Sequence, residues 1–82
     1  MITVRVTFYS YFRELAGQPE ATLSVAPGSR ISELLAQILE RFPKMRPMQK
    51  SMLIAVGVEY QRPEFALSDG DEVALFPPVQ GG

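Results

Sequence analysis

The sequence contains no cysteine and no histidine. Without cysteine there is no disulfide to staple the chain and no thiolate to ligate a metal or attack a substrate. Without histidine, the commonest general base and metal ligand is missing as well. Charge of one sign is also lacking, since eight Lys and Arg face nine Asp and Glu for a formal net charge of −1. A nucleic-acid binder would normally carry a basic surplus. No apolar run approaches the ~20 residues that a membrane helix needs. Met1 opens directly onto a strand pattern, leaving no room for a signal peptide, so the expected location is cytoplasmic. The carboxylates are scattered, and Asp69, Asp71 and Glu72 are explained by a turn. A self-sufficient enzyme and a bound metal are both disfavoured: there is no nucleophile–base pair and no ligand cluster.

What remains is the composition of one small domain, 82 residues with 46% apolar side chains. Ile2, Val4, Val6 and Phe8 alternate with Thr3, Arg5 and Thr7, the period of a half-buried strand with its even residues inward. By the same parity Tyr9 points outward. Residues 10–16 lose the alternation and fit one or two helical turns ending at Gly17. Residues 21–25 alternate again and stop at Pro27-Gly28, so these two strands should pair antiparallel. Ile31, Leu34, Leu35, Ile38, Leu39 and Phe42 form one apolar helical stripe. Ser29 is its expected cap and Pro43 its stop. Residues 43–51 read as a solvated basic loop carrying Lys44, Arg46 and Lys50, with docking to an acidic partner as the sharper alternative.

Met52 to Val56 is almost wholly apolar, as expected of a central strand. Gly57 permits a turn, and Val58-Glu59-Tyr60 reads as a short return strand. Leu67 is an expected core residue in an otherwise irregular stretch. Ser68-Asp69-Gly70-Asp71 is a turn before the last strand, Glu72 to Phe76. If Val73 and Leu75 face the core, Phe76 faces outward, and beside Tyr9 or Tyr60 it would form a docking surface. Pro77 and Pro78 have fixed φ and no N–H, so they end the sheet ladder. Gly81 and Gly82 carry no Cβ, which leaves a thread slender enough for a narrow tunnel. The order is strand, strand, helix, strand, short strand, strand. It predicts an α+β fold: a mixed sheet of four to five strands with one main helix across one face. The expected division is a domain over 1–76 and a flexible tail over 77–82.

Three stretches carry a family likeness: Phe12-Arg13-Glu14-Leu15-Ala16-Gly17 after the first strand, Ala55-Val56, and above all Leu67-Ser68-Asp69-Gly70-Asp71-Glu72-Val73-Ala74 leading into Phe76-Pro77-Pro78-Val79 and Gly81-Gly82. Through them the chain resembles the MoaD/ThiS family of ubiquitin-like β-grasp sulfur carriers, in its molybdopterin-synthase branch. Gly57 and Gln80 depart from the asparagine and the small Ser or Thr that the family often has there. The resemblance implies that a ubiquitin-activating-like (MoeB-like) adenylyltransferase adenylates the Gly82 carboxylate with ATP. A sulfur donor protein then converts it to a thiocarboxylate. The large (MoaE-like) subunit uses the charged tail to put sulfur onto a pyranopterin precursor, within a heterotetramer.

On this likeness Gly82 bears the sulfur and Gly81 keeps the tail slim. Phe76, Pro77, Pro78, Val79, Tyr60 and Tyr9 match the partner-binding surface. Arg13 matches a position beside it, although a solvated charge explains that residue equally well. The chain itself would be a non-catalytic co-substrate, binding no cofactor directly and using ATP only through its activating partner. Two alternatives remain open: a sulfur carrier for another product, such as the thiazole of thiamine, and a ubiquitin-like modifier joined to protein lysines through the terminal glycine. A purely non-covalent binding module is a weaker fourth reading.

Overall fold

The computed structural model describes residues 1–77. The chain runs β1 (Ile2–Phe8), α1 (Tyr11–Ala16), β2 (Glu20–Val25), α2 (Ile31–Arg41), a 3-10 segment (Pro43–Ser51), β3 (Leu53–Val56), β4 (Glu59–Tyr60) and β5 (Glu72–Phe76). The five strands form one sheet in the order β2-β1-β5-β3-β4. β1 pairs antiparallel with β2 and parallel with β5, while β3 pairs antiparallel with both β5 and β4. The central strand is therefore β5. The apolar β3, expected to be central, lies one strand further out.

Alternation along the strands gives the sheet one dry face. Val4, Val6 and Phe8 of β1 are fully buried, as are Val73 and Leu75 of β5. Val6 stands opposite Val73, and Leu75 lies between Phe8 and Ile54, so the inward residues form continuous rows across the strands. Against them packs the α2 stripe of Ile31, Leu34, Leu35, Ile38, Leu39 and Phe42, all buried as the spacing predicts. Each such side chain contributes roughly 1.5–3 kcal/mol when fully removed from water. Phe42 meets Phe8 edge to face at 5.3 Å and 75°. It also closes the helix with φ −125° and ψ 73°, an extended turn of the backbone forced by the following Pro43.

Two local expectations need correction. The N-cap of α2 is Arg30 rather than Ser29; the Glu33 side chain accepts the Arg30 N–H at 2.8 Å. Buried Ser29 instead joins the Leu67 loop, its carbonyl accepting the Leu67 N–H at 2.7 Å. Residues 43–51 are not a loop but a 3-10 segment with Met45 fully buried, and Arg46 Nε donates to the Leu39 carbonyl at 3.3 Å. That bond satisfies a carbonyl left over at the helix end. Lys44, Arg46 and Lys50 are exposed, as the solvated reading requires.

The turn before β5 is pinned to the start of β1. Asp69 Oδ1 accepts the Thr3 N–H and Asp71 Oδ2 the Ser68 N–H, both at 2.8 Å. The Thr3 carbonyl accepts the Gly70 N–H at 2.8 Å, and Gly70 has φ 85°, open to glycine at little cost. This clasp fixes the register in which β5 enters beside β1. The architecture is the β-grasp expected from the sequence, a mixed sheet holding one long helix against a single face.

Candidate functional site

Among the described residues no helix lies on the other face of the sheet, and one part of that face is aromatic. Parallel pairing sets Phe8 beside Leu75, and the ladder continues with the Tyr9 N–H donating to the Leu75 carbonyl at 3.1 Å. Tyr9 and Phe76 consequently emerge together on the outer face. Their rings stack with centroids 4.6 Å apart and planes 12° apart. On the far side of β5, Leu53 stands opposite Phe76, and Ala55 lies between Ala74 and Tyr60. The small alanine floor lets Tyr60 lean across, its ring 6.2 Å from Phe76 at 65°. Three aromatic residues far apart in sequence thus make one platform, and Phe76 at its centre is half-buried by its neighbours. Tyr60 is 69% exposed and Tyr9 39%.

An unusual backbone holds Tyr9 in place. Tyr9 to Phe12 form a tight turn in which the Phe12 N–H donates to the Tyr9 carbonyl at 3.2 Å. Its second residue, Ser10, has φ 57° and ψ −139°, the only positive φ outside glycine among the described residues. That conformation belongs to the first central position of a type II′ turn, where glycine is favoured and a Cβ is strained. The turn reverses the chain immediately after Tyr9, so α1 leaves without covering the platform.

Toward β2 the outer face turns polar. Arg5 Nη1 and Glu72 Oε1 form a 3.1 Å salt bridge between side chains 55% and 66% exposed. An ion pair that wet contributes little to stability. Arg13 stands exposed on α1 and has no salt bridge among the described residues.

The structure therefore brings Tyr9, Phe76 and Tyr60 together and sets Pro77 at the exit of the same strand. Pro78, Val79, Gly81 and Gly82 lie outside the described residues. Sequence reasoning missed Leu53, which flanks Phe76 across the β3–β5 pair. Its position in an uninterrupted apolar run hid the face it occupies. It also missed Ser10, because serine gives no signal for positive φ. Among the described residues no cluster of acidic side chains could hold a metal, and no helix is long and apolar enough to cross a membrane. The platform can bind and orient.

A model of the ThiS family matches residues 6–82. The chain belongs to the ThiS family. A molybdopterin synthase sulfur carrier subunit from Chlamydomonas reinhardtii is 40% identical over 81 residues, covering 96% of this chain and 98% of the relative. A relative of the same name from Caenorhabditis briggsae is 34% identical, with both chains covered completely. Among solved structures, a putative molybdopterin converting factor subunit 1 from Pyrococcus furiosus superposes with a TM-score of 0.88 at 31% identity, covering 96% of this chain and all of that one. Small archaeal modifier protein 1 from Methanosarcina acetivorans gives a TM-score of 0.84 at 28% identity, covering 100% and 98%. A chain from the complex of subunits 1 and 2 of the molybdopterin-converting factor of Helicobacter pylori gives 0.72 at 24% identity, covering 99% and 100%, which is a likeness of fold alone. The MoaD/ThiS resemblance and the ubiquitin-like β-grasp are both borne out.

Proposed function

We propose that this chain is the sulfur carrier subunit of a molybdopterin synthase. The observation that carries the reading is the aromatic platform at the root of the tail. Tyr9, Phe76 and Tyr60 cluster on an uncovered sheet face, on and beside the strand that leads into Pro77. A partner that grips the platform also fixes where the following residues point, so recognition and delivery share one strand. Full-length relatives named as this subunit support the assignment.

The chemistry follows from what a glycine carboxylate can and cannot do. The Gly82 carboxylate is a poor acyl donor until an activating partner adenylates it, with pyrophosphate leaving. Sulfide delivered by the donor then displaces AMP, its sulfur becoming that of a thiocarboxylate, which is a soft nucleophile on a short tether. Tethering raises its effective concentration at a bound acceptor far above that of free sulfide. The large subunit supplies the pocket and catalytic groups for the pyranopterin, and ATP is consumed only on the activating partner. We place the chain in the cytoplasm, where an ATP-using activating partner would meet it.

A second reading, a protein modifier joined to lysine amines, is favoured by the likeness to the archaeal modifier. Intact mass of the protein from its native cells, under mild non-reducing conditions, separates the two. A shift equal to one oxygen-to-sulfur exchange, mapped to Gly82, is the expected result. Chains linked to lysines of other proteins, with no sulfur-exchanged species, would transfer the assignment to the modifier.

A further inference from the structure

The two edges of the sheet differ. β4 has two residues and offers little to pair with, whereas β2 has six and lies open at the opposite edge. The β1 ladder fixes which β2 groups are free. The Phe8 N–H donates to the Pro19 carbonyl, while Arg5 and Tyr9 donate toward the β5 side. Even residues of β1 therefore bond to β2, which directs Ala21, Leu23 and Val25 inward to β1 and leaves Glu20, Thr22 and Ser24 facing out. The Glu20 carbonyl is taken by Gln18 Nε2. The N–H and C=O of Thr22 and Ser24 find no other hydrogen-bond partner among the described residues. They form two donor–acceptor pairs about 7 Å apart along the strand.

Nothing in β2 blunts this edge. The strand holds no proline, Lys or Arg, and its one charge, Glu20, stands at its first residue. Such an edge is a template for another strand. We propose that the β2 edge is a self-association site, where a second copy of this chain adds its own β2 antiparallel. The register is self-complementary. A two-fold axis at Leu23 sets Thr22 against Ser24 of the second copy and Ser24 against its Thr22, giving four backbone hydrogen bonds. Each Glu20 then faces an uncharged Ala26. The two Leu23 residues stand opposite one another across the axis with their side chains buried, beside a shallow groove between β2 and α2 lined by Thr22, Leu23, Ser24, Gln37, Glu40 and Arg41. Each copy thus brings one carboxylate and one guanidinium from α2 to the joint, so unlike charges can face. A net charge of −1 opposes association very little. A joint this short is weak and reversible, below the area of a permanent dimer. The aromatic platform lies beyond β1 and stays free in the pair.

The test is sedimentation equilibrium from micromolar to millimolar protein, with amide hydrogen exchange read at both ends of the range. The expected result is a monomer–dimer equilibrium, with Thr22 and Ser24 amides becoming protected as concentration rises. Thr22→Pro removes an outward donor that the fold does not use, and Arg41→Glu puts four carboxylates around the joint without touching the strand. Each should raise the dimer dissociation constant roughly tenfold or more while the protein remains folded by circular dichroism. A monomer at every concentration overturns the proposal. So does a dimer whose protection appears at Tyr60 and Phe76 instead, or one that Arg41→Glu leaves intact. None of these outcomes bears on the sulfur-carrier reading, which is decided by the mass of Gly82.

Discussion

Adjacent residues on β5 should behave oppositely when truncated, and the contrast tests the face assignment directly. Leu75 is fully buried between Phe8 and Ile54. Leu75→Ala removes that packing and leaves a cavity in a small core, at a cost of about 2–5 kcal/mol. Phe76 is only half-buried on the outer face, with Tyr9 stacked at 4.6 Å and Tyr60 edge-on at 6.2 Å. Losing roughly half of a phenylalanine's burial costs about 1 kcal/mol. The lost ring pairing adds roughly 0.5–1 kcal/mol, so Phe76→Ala should destabilise by about 1.5–2 kcal/mol in total. In a domain of this size that lowers Tm by roughly 6–16 °C. Urea melts of Phe76→Ala, Tyr9→Ala and the double variant measure the stacking separately. We expect a coupling of about 0.5–1 kcal/mol between them. Binding of Phe76→Ala to the large synthase subunit, by calorimetry, should fall far more than its stability, because an aromatic anchor at an interface centre contributes most there. Phe76→Ala as costly as Leu75→Ala, or no coupling to Tyr9, would refute the platform.

Three further outcomes are expected. Deleting Gly82 should leave the melting curve unchanged and abolish the sulfur-exchanged species in intact mass; a truncated chain that still supports cofactor synthesis would sink the carrier reading. Ser10→Gly should stabilise the fold by about 0.5–1 kcal/mol, because glycine accepts the positive φ that strains serine. The β-branched Ser10→Val should destabilise by more, and denaturant midpoints read both signs. Asp69→Ala should cost about 1–2 kcal/mol, since the Thr3 N–H loses a charge-assisted acceptor at 2.8 Å. Amide exchange should quicken at Thr3 and Gly70 by more than the uniform increase that the lost stability brings to core amides such as Leu34.

Local periodicity carried much of this fold. The alternation of β1 and the stripe of α2 each repeat a choice of face many times, so single exceptions do not blur the pattern. The outward turn of Phe76 followed from the same logic applied to Val73 and Leu75. Strand order did not follow. The parallel meeting of β1 with β5 joins residues more than sixty positions apart, and no alternation encodes which strand lies beside which. The platform was legible only as two outward rings, Tyr9 and Phe76, with Tyr60 added by the family likeness and no shared address for the three. The 3-10 segment failed for another reason. Pro43, Pro47 and the cations among them read as a loop, yet buried Met45 anchors the stretch to the core beneath α2. Tertiary packing overrode composition there.

The placement of the platform on β5 has a consequence for how the molecule divides its tasks. One strand supplies Val73 and Leu75 to the core from one face and presents Phe76 on the other, where we propose that a partner docks. The period of a strand makes this possible, since neighbouring residues never share a face. Binding residues can then change with little effect on the packed interior, except where rings touch across strands. The Asp69 clasp and the Ser10 turn fix β5 and Tyr9 from opposite ends of β1, so the platform is assembled before any partner arrives. A partner that meets preassembled rings loses little to ordering them. On the proposed reading, the binding free energy saved is available for drawing the tail residues into the acceptor's pocket. A carrier must also release after each transfer, and a three-ring platform with a wet polar flank at Arg5 and Glu72 suits repeated docking better than a large dry interface would.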